Sequence, residues 1–493
     1  MVGPEKLTIA SVSAELSPFS KTGGLGEVAH ALPQALRDRG HTVLPIAPLH
    51  RTTKARFADT LEKIGEKRIK VFEGLSHAAT FYRGEYDRIP TYFIDAPPYF
   101  SDVKEIYQSG RENERFFFFN RAVLALLREI DIIPDVIQCH DWHTGLLPYF
   151  LHTSKNTFRN TASVFTIHNL AFQMGKDWWT MPPEQQDDGF VSPEQMYEAG
   201  QVEEINFALR AIRHADALST VSERYAEEIL TRGFGETLEG ELRKRKADLF
   251  GIVNGVNYTT YNPATDPGLV RQYDTHDALV GKTENKAALQ KLCHLPVRDD
   301  VPVIGMVSRI TEQKGFDLLF EVMDVLMKLK LQIIVMGTGQ PEYEQRFRHL
   351  RREHPDRFSY LSFDPKYETF VYAGSDLFLM PSRFEPCGLG QLISLRYGSI
   401  PIVHAVGGLQ DTIFDYNPRT DRGNGFSFPT YDSRLMLAAI VRGIEHWFEG
   451  GPAWEKLVKK SMRKVYTWDI PAQRYVALFR HAISRHTEEY HAT

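Results

Sequence analysis

Two strand-to-helix turns with phosphate-binding chemistry, one in each half of the chain, constrain the fold more than any other feature. The first is Lys21-Thr22-Gly23-Gly24-Leu25-Gly26-Glu27, after the strand-like run 7–15. The second is Ser308-Arg309-Ile310-Thr311-Glu312-Gln313-Lys314-Gly315, after the strand-like run 303–307. A glycine turn between a strand and a helix lets backbone N–H groups approach an anion. Arg309 and Lys314 add fixed positive charge from the second half. A single ligand gripped from both halves predicts a cleft between two domains, the arrangement of an enzyme that uses a nucleotide-activated substrate.

The rest of the chain agrees with two α/β halves. Strand and helix patterns alternate nearly throughout, which argues for parallel sheets. Residues 8–13 read as a buried strand; Val28, Ala31, Leu32, Ala35 and Leu36 then mark one face of a helix, interrupted at Pro33 and stopped at Gly40, before a strand at 41–48. The run 115–127 is a strongly apolar helix, with Phe116–Phe119 most simply core. The strands at 135–139 and 163–167 run straight into polar residues, His140-Asp141-Trp142-His143 and His168-Asn169. A second series begins near 301, with strands at 301–307, 331–336, 358–363, 377–380 and 400–403 and helical stretches between them. The turn-rich stretch at Asn254-Gly255-Val256-Asn257 marks the junction. The expected division is therefore 1–256, 257–470, and a helix at 471–493 packing back on the first domain.

Composition closes off other classes. At 493 residues the chain is too long for one core. With 42% hydrophobic and 25% charged residues it is ordinary globular material. A net charge of −5 exerts no general pull on nucleic acid or an anionic membrane. The three cysteines, Cys139, Cys293 and Cys387, are too scattered for a disulfide framework. No apolar stretch is long enough to span a bilayer, and the start Met1-Val2-Gly3-Pro4-Glu5 lacks the pattern of a signal peptide. The expectation is a soluble cytoplasmic protein.

Each motif has a plainer reading beside its functional one. Glycines alone usually mean a tight turn, but Lys21 before Gly23 and Gly24 makes a diphosphate site. A dehydrogenase is disfavoured, because no acidic residue falls near 45–48, where the ribose partner belongs. His140 and His143 have zinc-like spacing but no evident third ligand, so packing or hydrogen bonding is the better reading. Asp141 and His168 both lie just past strand ends and line the same edge. Arg383-Phe384-Glu385-Pro386-Cys387-Gly388-Leu389-Gly390 follows a strand and opens a helix. Glu385 is there either a helix-dipole partner or a carboxylate facing sugar. Cys387 reads as a packed residue rather than a nucleophile. Val406-Gly407-Gly408-Leu409 repeats the strand–glycine–helix theme. No Asp-x-Asp triplet, the usual metal-bound nucleotide-sugar signature, occurs anywhere.

These motifs, in this order, resemble the bacterial-type glycogen (starch) synthases. The matching stretches are 21–28, 140–145, 166–171, 254–257, 307–315, 381–389 and 406–412. The resemblance implies a GT-B fold, two Rossmann-like doubly wound domains with the active site in the cleft between them. It also implies retaining α-1,4-glucosyl transfer from ADP-glucose to the non-reducing end of glycogen or a related glucan, with no cofactor. Carried over, Lys21, Gly23 and Gly24 hold the diphosphate, and Arg309 and Lys314 neutralise the leaving group. Glu385 meets the glucose hydroxyls near Cys387, Gly388 and Leu389, and Gly407 and Gly408 face the same diphosphate. His168 contacts the glucose near the reacting carbon and Asp141 orients the acceptor side. Asn254 touches the donor, Phe363 lies beside the base, and Tyr107 meets the acceptor.

Departures from the family pattern are Glu27 for Asp, Asn257 for Asp and Val406 for Thr. Ile393 stands where broader GT-B relatives carry a second Glu, which favours the glucan synthases over sucrose- or trehalose-type transferases. A transferase using another nucleotide sugar or a small acceptor, and a non-catalytic glucan-binding relative, remain the alternatives. The choice between ADP- and UDP-glucose, and the oligomeric state, stay open at this level.

Overall fold

The structure, a computed structural model, describes residues 6–107, 109–153 and 157–492. The N-terminal start read above, Met1 to Glu5, lies outside the described residues. The chain divides into two compact units: one runs to Ile252 and takes in the segment from Trp468 onward, the other is Val253–Thr467.

The first unit is built on a nine-stranded sheet. In chain order its strands are β1 (Thr8–Val12), β2 (Thr42–Pro48), β3 (Glu62–Phe72), β4 (Leu75–Tyr86), β5 (Ile89–Asp95), β6 (Val136–His140), β7 (Ala162–Ile167), β8 (Ala217–Thr220) and β9 (Leu249–Gly251). They lie side by side as β3-β4-β5-β2-β1-β6-β7-β8-β9. From β5 to β9 the pairs are parallel, whereas β3, β4 and β5 form an antiparallel meander at one edge. The sheet is therefore mixed, where alternating patterns alone predict a parallel one. The meander escapes periodicity because its outer strand is rich in Lys and Glu, as solvent-facing edges are.

The helix Gly24–Asp38 follows β1 and runs through Pro33 without a break. Burial of Val28, Leu32 and Leu36 outweighs the hydrogen bond that proline forgoes. In the helix Glu112–Glu129, Phe116 to Phe119 are all fully buried. Four successive residues sweep round a helix, so this element must be covered on more than one side. Arg115 on the same helix is buried too, and the carboxylate of Glu112 pairs with it at 3.0 Å.

On the opposite face of the sheet, the C-terminal helix Asp469–Ala492 packs Tyr475, Phe479 and Ala482 against Leu32, Leu36 and the β1 and β7 side chains Ile9 and Val164. Chain far away in sequence thus completes the first unit's core.

The second unit carries a six-stranded sheet of β10 (Val303–Val307), β11 (Gln332–Met336), β12 (Phe358–Leu361), β13 (Leu377–Met380), β14 (Ile400–His404) and β15 (Phe426–Phe428). Their order is β12-β11-β10-β13-β14-β15 and every pair is parallel. Such sheets bind ligands beyond the carboxyl ends of their strands, where the order reverses. Here the reversal falls between β10 and β13. Ile393 is part of this unit's apolar core.

Phe479→Ala removes a fully buried ring that joins the last helix to the first sheet. Chemical denaturation is expected to show a loss of about 3–5 kcal/mol from the first unit. A loss within the error of the wild-type midpoint would mean that the helix contributes no core.

Candidate functional site

In the first unit, the carboxyl ends of β1, β6 and β7 bring Glu15, Asp141 and His168 onto one edge. Glu15 is the organising residue, and it is one that sequence reasoning missed. Its buried carboxylate accepts four hydrogen bonds: from the Thr22 and Gly23 amides at 2.6 and 3.3 Å, the Thr22 hydroxyl at 2.6 Å and the Tyr107 hydroxyl at 2.6 Å. A buried acid next to a glycine-rich turn was the available signal. Gly23 has φ −160°, extended backbone that any residue adopts, and a Cβ built there would meet nothing. Nothing inside the protein demands a glycine at this position. Lys21 is exposed and pairs with Glu27 at 2.6 Å. The longer acid of the departure at 27 thus reaches the lysine directly. Gly24 begins the helix.

Asp141 is buried, with φ 58°. Its Oδ1 accepts from the amides of His168 and Asn169 at 2.7 and 3.3 Å. Desolvation pushes its pKa up to about 7, against the opposing pull of those two amides. The Tyr107 ring lies 5.0 Å from that of His143, which in turn stacks on Trp142 at 4.1 Å. His140 bonds Ser11 at 3.1 Å and His168 at 2.9 Å.

In the second unit the loops after β10, β13 and β14 converge. Lys314 donates to Glu385 at 2.6 Å, and the Ser382 hydroxyl donates to the same carboxylate oxygen at 2.8 Å. The Arg383 amide donates to the Gln313 carbonyl at 2.9 Å, tying the two loops together. Arg309 is exposed, and no partner engages its guanidinium among the described residues. Phe363 is 44% exposed. Its amide donates to the Thr338 hydroxyl at 3.2 Å, and the Thr338 carbonyl accepts from Ile310 at 3.0 Å, which joins Phe363 to the Arg309 loop.

The paired glycines after β14 have a steric reason. A Cβ on Gly407 would lie 2.1 Å from the Glu385 carbonyl oxygen, and one on Gly408 2.1 Å from that of Cys387. The Gly408 amide donates to the Glu385 and Pro386 carbonyls at 3.1 and 3.2 Å. These contacts hold the loop carrying Glu385, Gly388 and Leu389. Cys387 is buried beside Asn254, and burial raises its thiol pKa to about 12 despite hydrogen bonding with Asn254. It therefore stays protonated at neutral pH and is no nucleophile. Val406 is buried at the N-terminal boundary of the helix Gly407–Thr412, and Asn257 accepts from the Thr259 amide at 2.9 Å. Among the described residues no group of three or more His, Cys, Asp or Glu is placed to hold a metal ion.

Comparison with known proteins places the chain in one family. The family model described as starch synthase catalytic domain matches residues 8–244, and that of the group 1 glycosyl transferases matches residues 294–463. Glycogen synthase of Clostridium novyi is 40% identical over 97% of this chain and 100% of its own length. That of Desulforudis audaxviator is 41% identical over 98% of each chain. The chain belongs to the glycogen (starch) synthase family. Its fold is that of the GT-B glycosyltransferases. The solved catalytic domain of starch synthase IV from Arabidopsis thaliana, bound to ADP and acarbose, superposes with a TM-score of 0.85 at 30% identity, covering 97% of this chain and 100% of that one. A sucrose-phosphate synthase from Thermosynechococcus elongatus shares the fold at a TM-score of 0.60 and 19% identity, over 97% of this chain and 100% of that one.

The raised pKa of Asp141 has a consequence for stability. Between an unfolded value of about 3.9 and the native value, the native state holds a proton that the unfolded chain has released. Stability therefore falls as pH rises through that window. Asp141→Asn removes the titration, keeps an oxygen for the two amides and tolerates the positive φ. Relative to wild type, the variant is expected to gain stability, read as Tm, between about pH 4 and about pH 7, at up to about 1.4 kcal/mol per pH unit. Parallel Tm curves for the two proteins would contradict the raised value.

Proposed function

We propose that this chain transfers glucose from ADP-glucose to the non-reducing end of an α-1,4-glucan, with retention of configuration. The observation that carries the reading is the cation arrangement of the second unit. Arg309 stands free at the carboxyl edge of a parallel sheet, and Lys314 is held beside Glu385 by an ion pair. A departing diphosphate needs this chemistry: each charge-assisted contact to phosphate is worth about 1.5–3 kcal/mol. The relatives, matched over 98–100% of their lengths, are named glycogen synthases, and the starch synthase structure holds ADP and acarbose.

In this reading Arg309 and Lys314 neutralise the leaving diphosphate, and Lys21 and the Gly23–Gly24 turn are the phosphate-contacting residues of the first unit. Glu385, positioned by Lys314 and Ser382, accepts hydrogen bonds from glucose hydroxyls. Gly388, Leu389 and Gly407 contribute backbone contacts and Gly408 holds their loop. Asn254 and Phe363 meet the nucleotide side of the donor. Tyr107 and Asp141 serve the acceptor side, and His168 lies near the reacting carbon. No protein nucleophile is invoked. The bond from the anomeric carbon to phosphate breaks, and a bond to the acceptor hydroxyl oxygen forms on the same face. The hydroxyl proton passes to the departing phosphate. No resident cofactor enters this scheme. Among the described residues no helix is long and apolar enough to cross a membrane, and a cytoplasmic location fits a soluble sugar nucleotide.

The decisive assay is nucleoside diphosphate release with glycogen as acceptor and ADP-glucose or UDP-glucose as donor. Glycogen-dependent ADP release, faster than UDP release, is expected. Release with small sugars but not with glycogen would transfer the proposal to a small-acceptor enzyme. Arg309→Ala is expected to lower kcat by about 10²-fold or more at saturating donor, as for loss of a preorganised charge. Because the side chain is exposed, its Tm should match wild type. Near-normal turnover in that variant would refute the assigned role.

A further inference from the structure

We propose that Ser11 and His140 are positioning residues that lock His168 in its Nδ1–H tautomer, so that the ring presents a hydrogen-bond donor, and no base, to the bound sugar nucleotide. The inference rests on the glucosyl-transfer reading for its purpose, but not for its geometry.

Three neighbouring strands supply the chain of contacts. Ser11 lies on β1, His140 ends β6 and His168 follows β7 directly; β6 pairs with both other strands. The Ser11 hydroxyl is 3.1 Å from His140 Nε2, and His140 Nδ1 is 2.9 Å from His168 Nε2. Each contact contains one hydrogen, and its direction depends on the tautomers. Two arrangements are possible. Either every hydrogen points from Ser11 toward His168, or every hydrogen points back toward Ser11.

Ser11 decides between them. It is 2% exposed, and its hydroxyl has no partner other than His140 among the described residues. If His140 donated to it, the serine's own hydrogen would be buried with no acceptor, and the full desolvation penalty of that group would remain. If the serine donates, every buried hydrogen in the chain is used. His140 Nε2 then accepts, so its proton is on Nδ1 and is given to His168 Nε2. The proton of His168 is left on Nδ1, the one ring nitrogen with no protein partner among the described residues.

Burial keeps both imidazoles neutral. It moves the pKa of His140 well below its ordinary value, with a further push from His168, and lowers that of His168 to about 3. The Asp141 carboxylate bonds the His168 amide and not the ring. A neutral ring with its proton on Nδ1 can donate to a hydroxyl or phosphate oxygen, but it cannot take a proton from the acceptor sugar there. The base in the transfer must then come from elsewhere, and the departing phosphate is the group available.

The test is ¹⁵N NMR of the full chain labelled in histidine, without donor or acceptor, with His168→Ala to assign the ring signals. The expected result is a protonated Nδ1 and a bare Nε2 on His168. A protonated Nε2, or an averaged pair of signals, overturns the proposal. Ser11→Ala should shift His168 toward a mixture of tautomers and lower kcat/KM by about 10-fold, the scale of one hydrogen bond. An unchanged His168 tautomer in folded Ser11→Ala also overturns it. Because the tautomer is read without substrate, its outcome is separate from that of the ADP-release assay.

Discussion

Parallel strand pairing is the constraint on which the functional geometry depends. A parallel strand cannot be followed by a tight hairpin to its neighbour, so each connection must cross back over a face of the sheet. The carboxyl ends of successive strands are thereby gathered along one edge. In the first unit that edge receives Glu15, Asp141 and His168 from three strands. In the second it receives Arg309, Lys314, Glu385 and the Gly407–Gly408 turn. Residues remote in sequence meet because the topology leaves their loops no other place.

Both units treat their charges in the same way. The amides at the start of the first helix are met by the Glu15 carboxylate, and Lys21 by Glu27. In the second unit Lys314 is met by Glu385. Buried charge is costly unless paired, which is why Lys314, unlike the exposed Arg309, has an internal partner. The exposed ion pair of Lys21 is cheap to exchange for phosphate. The part-buried pair of Lys314 and Glu385 is not. Glycine supports this scheme for opposite reasons in the two units. At Gly23 the space beside the backbone is open, whereas at Gly407 and Gly408 another backbone fills it.

The local chemistry was legible from the chain because strong short-range patterns carry it. A buried run followed by a polar, glycine-bearing turn reads the same in sequence and in structure, which is why the β1, β10, β13 and β14 turns were recognisable. The antiparallel meander β3–β5 was not, because its outer strand faces solvent and carries charges in place of alternation. Pro33 misled for a related reason, since helix propensity is a local quantity and the packing of Leu32 and Leu36 is not.

By itself, then, the sequence determined two α/β halves, the identity of the cations and acids at their strand ends, and membership of a glucan synthase family. Tertiary structure decided who pairs with whom. That Glu15 holds the Gly23 turn and Tyr107 together, that the C-terminal helix belongs to the first unit's core, and that Ser11 governs a histidine pair all depend on distances between residues far apart in the chain. Such contacts leave no periodic trace in a single sequence, because a buried serine or glutamate is placed by the strands around it and not by its neighbours along the backbone.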